Sequence, residues 1–197
     1  MTDKKIATSW SFKLDTVQSW AYWNNFLSKK ECEEIISYCK KFNKSKAAVD
    51  NDSKVVRKIR ESDVVFLYPD KNLNNLYRKI TDAILTLNNK YFNFNLWGMA
   101  EGLQFTHYKA PNGKYVKHID KMLNGQIRKL SMSIQLSDPK KYKGGDLVLY
   151  NSDKPTLISR DQGKLIVFPS YTLHEVKKIV EGERYSLVAW FTGEPFK

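Results

Sequence analysis

The sequence predicts a mainly β protein of jelly-roll or sandwich type, with two amphipathic helices packed on its outside. Three observations lead there. From about residue 93 the apolar pattern shortens and no helical stripe returns. Gly144-Gly145, Asp161-Gln162-Gly163 and Glu181-Gly182 break the second half into short runs. The two helical patterns in the first half each carry one apolar face, which needs a partner layer.

Taken in order, a short strand is expected near 9–14. A helix then begins at Ser28, which is placed to cap it, with Glu31 three residues on completing a capping box. Leu27 and Cys32 occupy the hydrophobic-staple positions. Cys32, Ile35, Ile36, Cys39 and Phe42 form a stripe at helical period, opposed by Lys30, Glu33, Lys40 and Lys41. Short strands are expected at 54–60 and 63–68. A second helix follows Pro69-Asp70, with Leu73, Leu76, Tyr77, Ile80, Ile84 and Leu87 on one face and Asn88-Asn89 closing it. Further strands are expected at 102–109, 114–119, 129–137, 146–150, 163–168, 174–178 and 184–192. No linker divides the chain, so 1–197 is expected to be one domain, with 1–99 supporting a core at 100–192.

Composition narrows the function. The chain of 197 residues is 42% apolar and 13% aromatic, well above a disordered chain. No apolar run approaches the 18 or so residues that span a bilayer. The polar start, Met1-Thr2-Asp3-Lys4-Lys5, has no apolar segment behind it, so no secretory signal is expected. Cys32 and Cys39 would lie about 10 Å apart on a helix, too far for a disulfide. A reducing, cytoplasmic setting fits two buried thiols. The net charge is +12, from 33 basic and 21 acidic residues. Such a field attracts anions, but the lysines are scattered, as on a solvated surface. Nucleic acid is therefore a possible but not a favoured partner, and oligomeric state is not legible.

The informative cluster is His118-Ile119-Asp120, answered by His174 and then by Arg184. Residues two apart on a strand share a face, so His118 and Asp120 can point together. Two imidazoles and one carboxylate hold three facial positions of Fe(II) and leave three open. Zinc competes for the same donors, and ligand type alone does not exclude it. His-x-Asp by itself is a weak pattern. Its context is stronger, because two of only three histidines fall in the required places. The third, His107, adjoins Tyr108, points to the opposite face and is expected to be structural. Alternation puts Arg184, Ser186, Val188 and Trp190 on one face. If that face is interior, Arg184 is a buried cation in need of an anion, and a carboxylate pairs with it bidentately.

The segments Tyr108 to Asp120, Leu130 to Leu136, Tyr142 to Leu147, Gly163 to Ser170, His174 to Val176 and Gly182 to Ser186 resemble the 2-oxoglutarate- and Fe(II)-dependent dioxygenases. The prolyl 4-hydroxylase-type catalytic domain is the nearest resemblance, over about residues 100–192. It implies a double-stranded β-helix (a cupin-like jelly roll) and an Fe(II) held by His118, Asp120 and His174. It implies 2-oxoglutarate and O₂ as cosubstrates, with Arg184 on the far carboxylate and ascorbate as a candidate reductant for the iron. Tyr108 matches a residue of the cosubstrate pocket, Tyr115 one near substrate and iron, and Trp190 one of the pocket wall. Ser186 is placed to offer a hydroxyl to the cosubstrate carboxylate. Three positions depart, the first being Arg184, which stands where the collagen-type relatives have lysine and is closer to the bacterial and oxygen-sensing branch. Gln135 stands where many relatives have an aromatic residue that bonds the cosubstrate, though its amide can still donate. Trp190 stands where the nucleic-acid demethylase branch has a second arginine, which argues against base repair.

The resulting expectation is a hydroxylase of peptidyl proline, yielding succinate and CO₂, with a proline-containing protein or peptide as partner and no membrane. A free amino acid or other small metabolite is the alternative substrate. A non-enzymatic basic protein- or nucleic-acid-binding jelly roll is the other alternative. Glu175, the sole carboxylate beside the triad that a metal hydrolase could use, is turned away by strand parity. Residues 45–68 read equally as a partly mobile substrate flap, with Arg57, Lys58 and Arg60 lining an entrance toward an acidic peptide, or as a solvated strand.

Overall fold

The computed structural model describes residues 18–43, 45–46, 59–99, 101–120 and 127–195. The strand expected at 9–14, Arg57, Lys58 and the 47–58 half of the flap segment lie outside them. In chain order the elements are β1 (Ala21–Trp23), α1 (Lys29–Cys39), β2 (Ser45–Lys46), β3 (Arg60–Glu61), β4 (Asp63–Leu67), α2 (Asn74–Tyr91), β5 (Leu96–Met99) and β6 (Leu103–Lys109). There follow β7 (Lys114–His118), β8 (Arg128–Gln135), β9 (Tyr142–Gly144), β10 (Leu147–Tyr150), β11 (Thr156–Leu157), β12 (Leu165–Pro169), β13 (Leu173–Val176) and β14 (Ile179–Gly193).

The strands form two antiparallel sheets. The major one runs β1-β12-β8-β14-β6-β4-β2, with β5 and β9 also paired to β14, and the minor one runs β11-β10-β13-β7-β3. This is the jelly-roll arrangement with flanking helices that the sequence predicts. Among the described residues no helix is long and apolar enough to cross a membrane.

Alternation along three central strands explains both the core and the site. Leu103 and Phe105 of β6, Leu130, Met132 and Ile134 of β8, and Tyr185, Leu187, Ala189 and Phe191 of β14 share one buried cluster with α1 and α2. Burying each large aliphatic chain there contributes about 1.5–3 kcal/mol. The intervening residues, Gln104, Tyr108, Ser131, Ser133, Arg184, Ser186, Val188 and Trp190, line a cavity on the opposite face. One-residue slippage would exchange the two sets, so the helices fix the register that builds the site. A second apolar cluster, including Leu149, Ile158, Ile166, Phe168 and Val176, lies on the minor-sheet side.

Several boundaries differ from expectation. Helix α1 has its capping box at Ser28 and Glu31, and buries Cys32 and Cys39. It stops at Cys39, so Phe42 falls beyond it, is exposed, and meets the Tyr38 ring edge-on. Helix α2 starts four residues after Asp70, because Asp70 Oδ1 accepts from the Asn72 and Leu73 amides and holds a turn there. It runs through Asn88-Asn89 to Tyr91. Asn88 is buried and bridges to Phe94 through both ends of its amide, so it tethers the helix exit and does not stop the helix. The expected break at Glu181-Gly182 is a bend within β14, whose first residues pair with β9 and whose remainder pairs with β6 and β8. Gly182 makes the bend at φ +74°, and a Cβ there would lie 2.2 Å from the Lys141 carbonyl oxygen. Of the strand expected at 54–60, residues 54–58 lie outside the described residues, and Arg60 opens β3. The short strands β1, β5, β9 and β11 went unpredicted.

Candidate metal and cosubstrate site

His118 ends β7 and pairs directly with His174 of β13 in the minor sheet. Asp120 follows β7 as the chain leaves the sheet, where its amide donates to the Ser170 carbonyl oxygen at 2.9 Å. The three side chains meet. Asp120 Oδ1 lies 3.6 Å from His118 Nε2, and Oδ2 lies 3.5 Å from His174 Nε2. One ligand atom from each residue falls within 4.8 Å of the others.

Backbone carbonyls select which imidazole nitrogen is free. The Nδ1 of His118 lies 2.7 Å from the Val116 oxygen, and that of His174 lies 2.9 Å from the Thr172 oxygen. With Nδ1–H donated outward, both Nε2 atoms turn to Asp120 as lone-pair donors. Burial and the neighbouring His174 push the His118 imidazole down to about 4, against the opposing pull of Asp120. Burial alone would raise the Asp120 carboxyl, but His174, His118 and the Ser131 hydroxyl hold it below its ordinary value. A neutral imidazole and an ionised carboxylate are the forms a metal requires. The donor set therefore fits Fe(II), with the Ser131 hydroxyl donating to Asp120 Oδ2 at 2.7 Å and lying 3.0 Å from the Ser170 hydroxyl.

Arg184 lies on the same cavity, 1% exposed. Its Nη2 donates to Gln135 Oε1 at 2.8 Å and its Nη1 reaches Ser186 Oγ at 3.5 Å. The Tyr108 ring lies 5.3 Å from the guanidinium carbon. Its Nε has no hydrogen-bond partner, and among the described residues no carboxylate pairs with it. A buried guanidinium in that state is built for an anion from outside the chain. Gly145, at φ +67°, makes room, since a Cβ there would come within 3.2 Å of Arg184 Cδ.

The cavity has a volume of about 520 Å³. It brings together His118, Asp120, His174, Arg184, Tyr108, Ser186, Tyr115, Trp190 and Arg60. Gln135 is the exception. It does not line the cavity, and its carbonyl oxygen accepts from Arg184, which places it behind the arginine. Tyr115 stacks on His118 with ring centroids 3.4 Å apart, and burial pushes its phenol up to about 12. His107 lies on the helix-facing side of β6, stacked on Tyr185 and near Asp63 and Glu183, away from the triad. Glu175 accepts from the Tyr150 hydroxyl and does not line the cavity.

Sequence reading missed Ser131 and the pair Arg128–Glu101. Ser131-Met132-Ser133 did carry a signal, since small polar residues alternating with apolar ones mark a two-sided strand. Arg128 carries none: it stacks on Trp190 at 3.9 Å and pairs with Glu101 at 2.7 Å across 27 residues of sequence.

Comparison with known proteins agrees with this geometry. The profile described as the 2OG-Fe(II) oxygenase superfamily matches residues 103–192. A PKHD-type hydroxylase of Prochlorococcus marinus (strain MIT 9211) is 32% identical over 135 residues, covering 62% of this chain and 61% of the relative. Among solved structures, a Pseudomonas putida prolyl-4-hydroxylase matches with a TM-score of 0.71 and 21% identity, over 90% of this chain and 94% of that one. A Trichoplax adhaerens prolyl hydroxylase, in complex with a hypoxia inducible factor peptide fragment, matches with a TM-score of 0.75 and 22% identity, over 89% and 84%. Residues 103–192 thus match the 2OG-Fe(II) oxygenase superfamily, and this chain shares its fold with the two solved prolyl hydroxylases. The chain spans 40% to 61% of the length of three PKHD-type relatives that it matches.

Proposed function

We propose that this protein is a 2-oxoglutarate- and O₂-dependent hydroxylase and that it acts on a prolyl residue of a protein or peptide. The observation that carries the activity is the meeting, in one cavity, of a His₂–carboxylate set with a buried arginine that has no acidic partner among the described residues. Fe(II) bound there supplies the coupled oxidation, in which 2-oxoglutarate and O₂ give succinate, CO₂ and a hydroxylated C–H bond.

The chain's own residues do the positioning. His118 and His174 present Nε2 because Val116 and Thr172 hold their Nδ1 atoms. Ser131 fixes Asp120, which serves as a ligand and is not required as a base. Arg184, steadied by Gln135 and Ser186, is placed to pair with the far carboxylate of the cosubstrate. Leu147, Phe168, Val176 and Val188 supply apolar walls that limit water around the reacting centre. The prolyl target is supported by the fold likeness to solved prolyl hydroxylases, while the intact triad and Arg184 weigh against a purely binding role.

The test is succinate formation by purified protein with Fe(II), 2-oxoglutarate and O₂. His118→Ala is expected to abolish it. Arg184→Gln is expected to weaken 2-oxoglutarate binding by about 10- to 100-fold, the worth of a lost charged hydrogen bond. Unchanged succinate formation in both variants would sink the assignment. A +16 Da shift on proline in lysate proteins, absent with His118→Ala, tests the substrate.

A further inference from the structure

The cavity holds a second guanidinium with no acidic partner among the described residues. Arg60, at the start of β3, is 8% exposed and lines the cavity. Its Nε donates to Ser62 Oγ at 2.9 Å. Its guanidinium carbon lies 4.7 Å from the centroid of the Tyr115 ring, which itself stacks on the ligand His118. Strand pairing sets this ladder, since Arg60 is in register with Tyr115. Its Nη groups make no hydrogen bond and its charge meets no carboxylate among the described residues.

The other cavity arginines mark the contrast. Arg128 is neutralised by Glu101 at 2.7 Å. Arg184 lies on β14 of the major sheet, beside Tyr108, and is assigned to the cosubstrate. Arg60 comes from the minor sheet and packs on the Tyr115 ring that also stacks with His118. A cation withdrawn from water costs several kcal/mol unless an anion joins it. One ring stack and one hydroxyl do not supply that anion.

We propose that Arg60 is a specificity residue that binds a carboxylate of the substrate, so that the hydroxylated C–H bond belongs to an acid-bearing molecule. This rests on the hydroxylase reading above. The carboxylate has two possible sources. It is an Asp or Glu side chain close in sequence to the target residue of a peptide, or the α-carboxylate of a free amino acid. Both present the same planar anion to a planar fork.

The experiment uses wild type, Arg60→Gln and Arg60→Lys, each loaded with redox-silent Mn(II) and saturating 2-oxoglutarate. Calorimetry first measures 2-oxoglutarate binding to the Mn(II)-loaded wild type alone. No binding at that step overturns the hydroxylase reading and, with it, this inference. The probes are proline-centred pentapeptides with Asp at each flanking position in turn, their Asn counterparts, L-proline and L-prolinamide. In wild type at least one acid is expected to bind about tenfold or more tightly than its amide. Arg60→Gln is expected to erase that ratio and Arg60→Lys to restore part of it, with the amides as the internal reference. The pair that discriminates identifies the source: an Asp peptide or the free amino acid. Equal binding of every acid and its amide by wild type overturns the proposal, as does an acid preference that survives Arg60→Gln while 2-oxoglutarate binding is intact.

Discussion

Asp120 carries two demands that only its neighbours reconcile. Buried among two imidazoles, it must stay ionised and keep one orientation. The Ser131 hydroxyl meets both demands by donating to Oδ2, and Ser131 is itself placed by β8 pairing Leu130 through Ile134 against β12. Removing that donor leaves the carboxylate free to turn and raises the cost of its charge. Partners of this kind are worth about 10- to 100-fold in metal affinity. Ser131→Ala is therefore expected to weaken Mn(II) binding by that order in a calorimetric titration, while Ser131→Thr keeps the hydroxyl and most of the affinity. Equal affinities for wild type and Ser131→Ala would show that the loop after β7 orients Asp120 unaided. The same logic separates the three cavity arginines, because what distinguishes Arg60 and Arg184 from Arg128 is the missing acid, not the residue type.

Among the elements, α1 is tied down by Glu31 in two ways. Its side chain accepts from the Ser28 amide at 2.7 Å, completing the capping box, and from Lys79 of α2 at 2.7 Å. Lys79, then Ser28, hold its carboxyl down at about 2, against an ordinary 4.5. A depressed carboxyl contributes stability that is fully present above the ordinary value and is lost as pH falls toward the folded one. The pair is about 40% exposed on each side, so screening keeps the effect small. Glu31→Gln is expected to cost about 0.5–1 kcal/mol in urea unfolding at pH 7, and the difference should vanish near pH 2. A difference that persists at pH 2 would assign the effect to packing.

This cap was legible in the sequence because it is local: four consecutive residues carry both hydrogen bonds. The alternation of β14 was equally legible, and it placed Arg184, Ser186, Val188 and Trp190 together before any fold was in view. What escaped reading was set by partners distant in sequence. Asn88 looks like a helix stop until Phe94 occupies its amide. Glu181-Gly182 looks like a turn until β9 pairs across it. Gln135 shows no tie to Arg184 until β8 pairs with β14 and its oxygen accepts from the guanidinium. The short strands β1 and β9 carry too few residues to show a period and exist only through their neighbours.

At the scale of the whole molecule, the site depends on a layer it never touches. The helices cover one face of the major sheet, and the cavity opens on the other. Cys32 and Cys39 lie in that helix–sheet core, both fully buried. Burial pushes Cys32 up to about 11 and Cys39 up to about 12, from 9.0. Thiolate is the reactive form, so neither residue should react with an aromatic disulfide reagent while α1 is docked. Detaching α1 would expose Ile80, Ile84, Phe105 and Leu187, which belong to the same cluster, so the layer should open only when the sheet does. Thiol labelling at pH 8 is therefore expected to be slow, to occur at both cysteines together, and to accelerate with urea along the slope of global unfolding. A shallower slope, or faster labelling of Cys32 than of Cys39, would mean that α1 frays independently. Ionisation gives the same layer a second signature. Unfolded thiols lose their protons above pH 9 while the buried ones keep theirs, so stability should decline as pH rises from 9 toward 11–12. Cys32→Ala/Cys39→Ala protein should lack that portion of the decline, and if it declines identically the thiols remain solvated enough in the fold to ionise there.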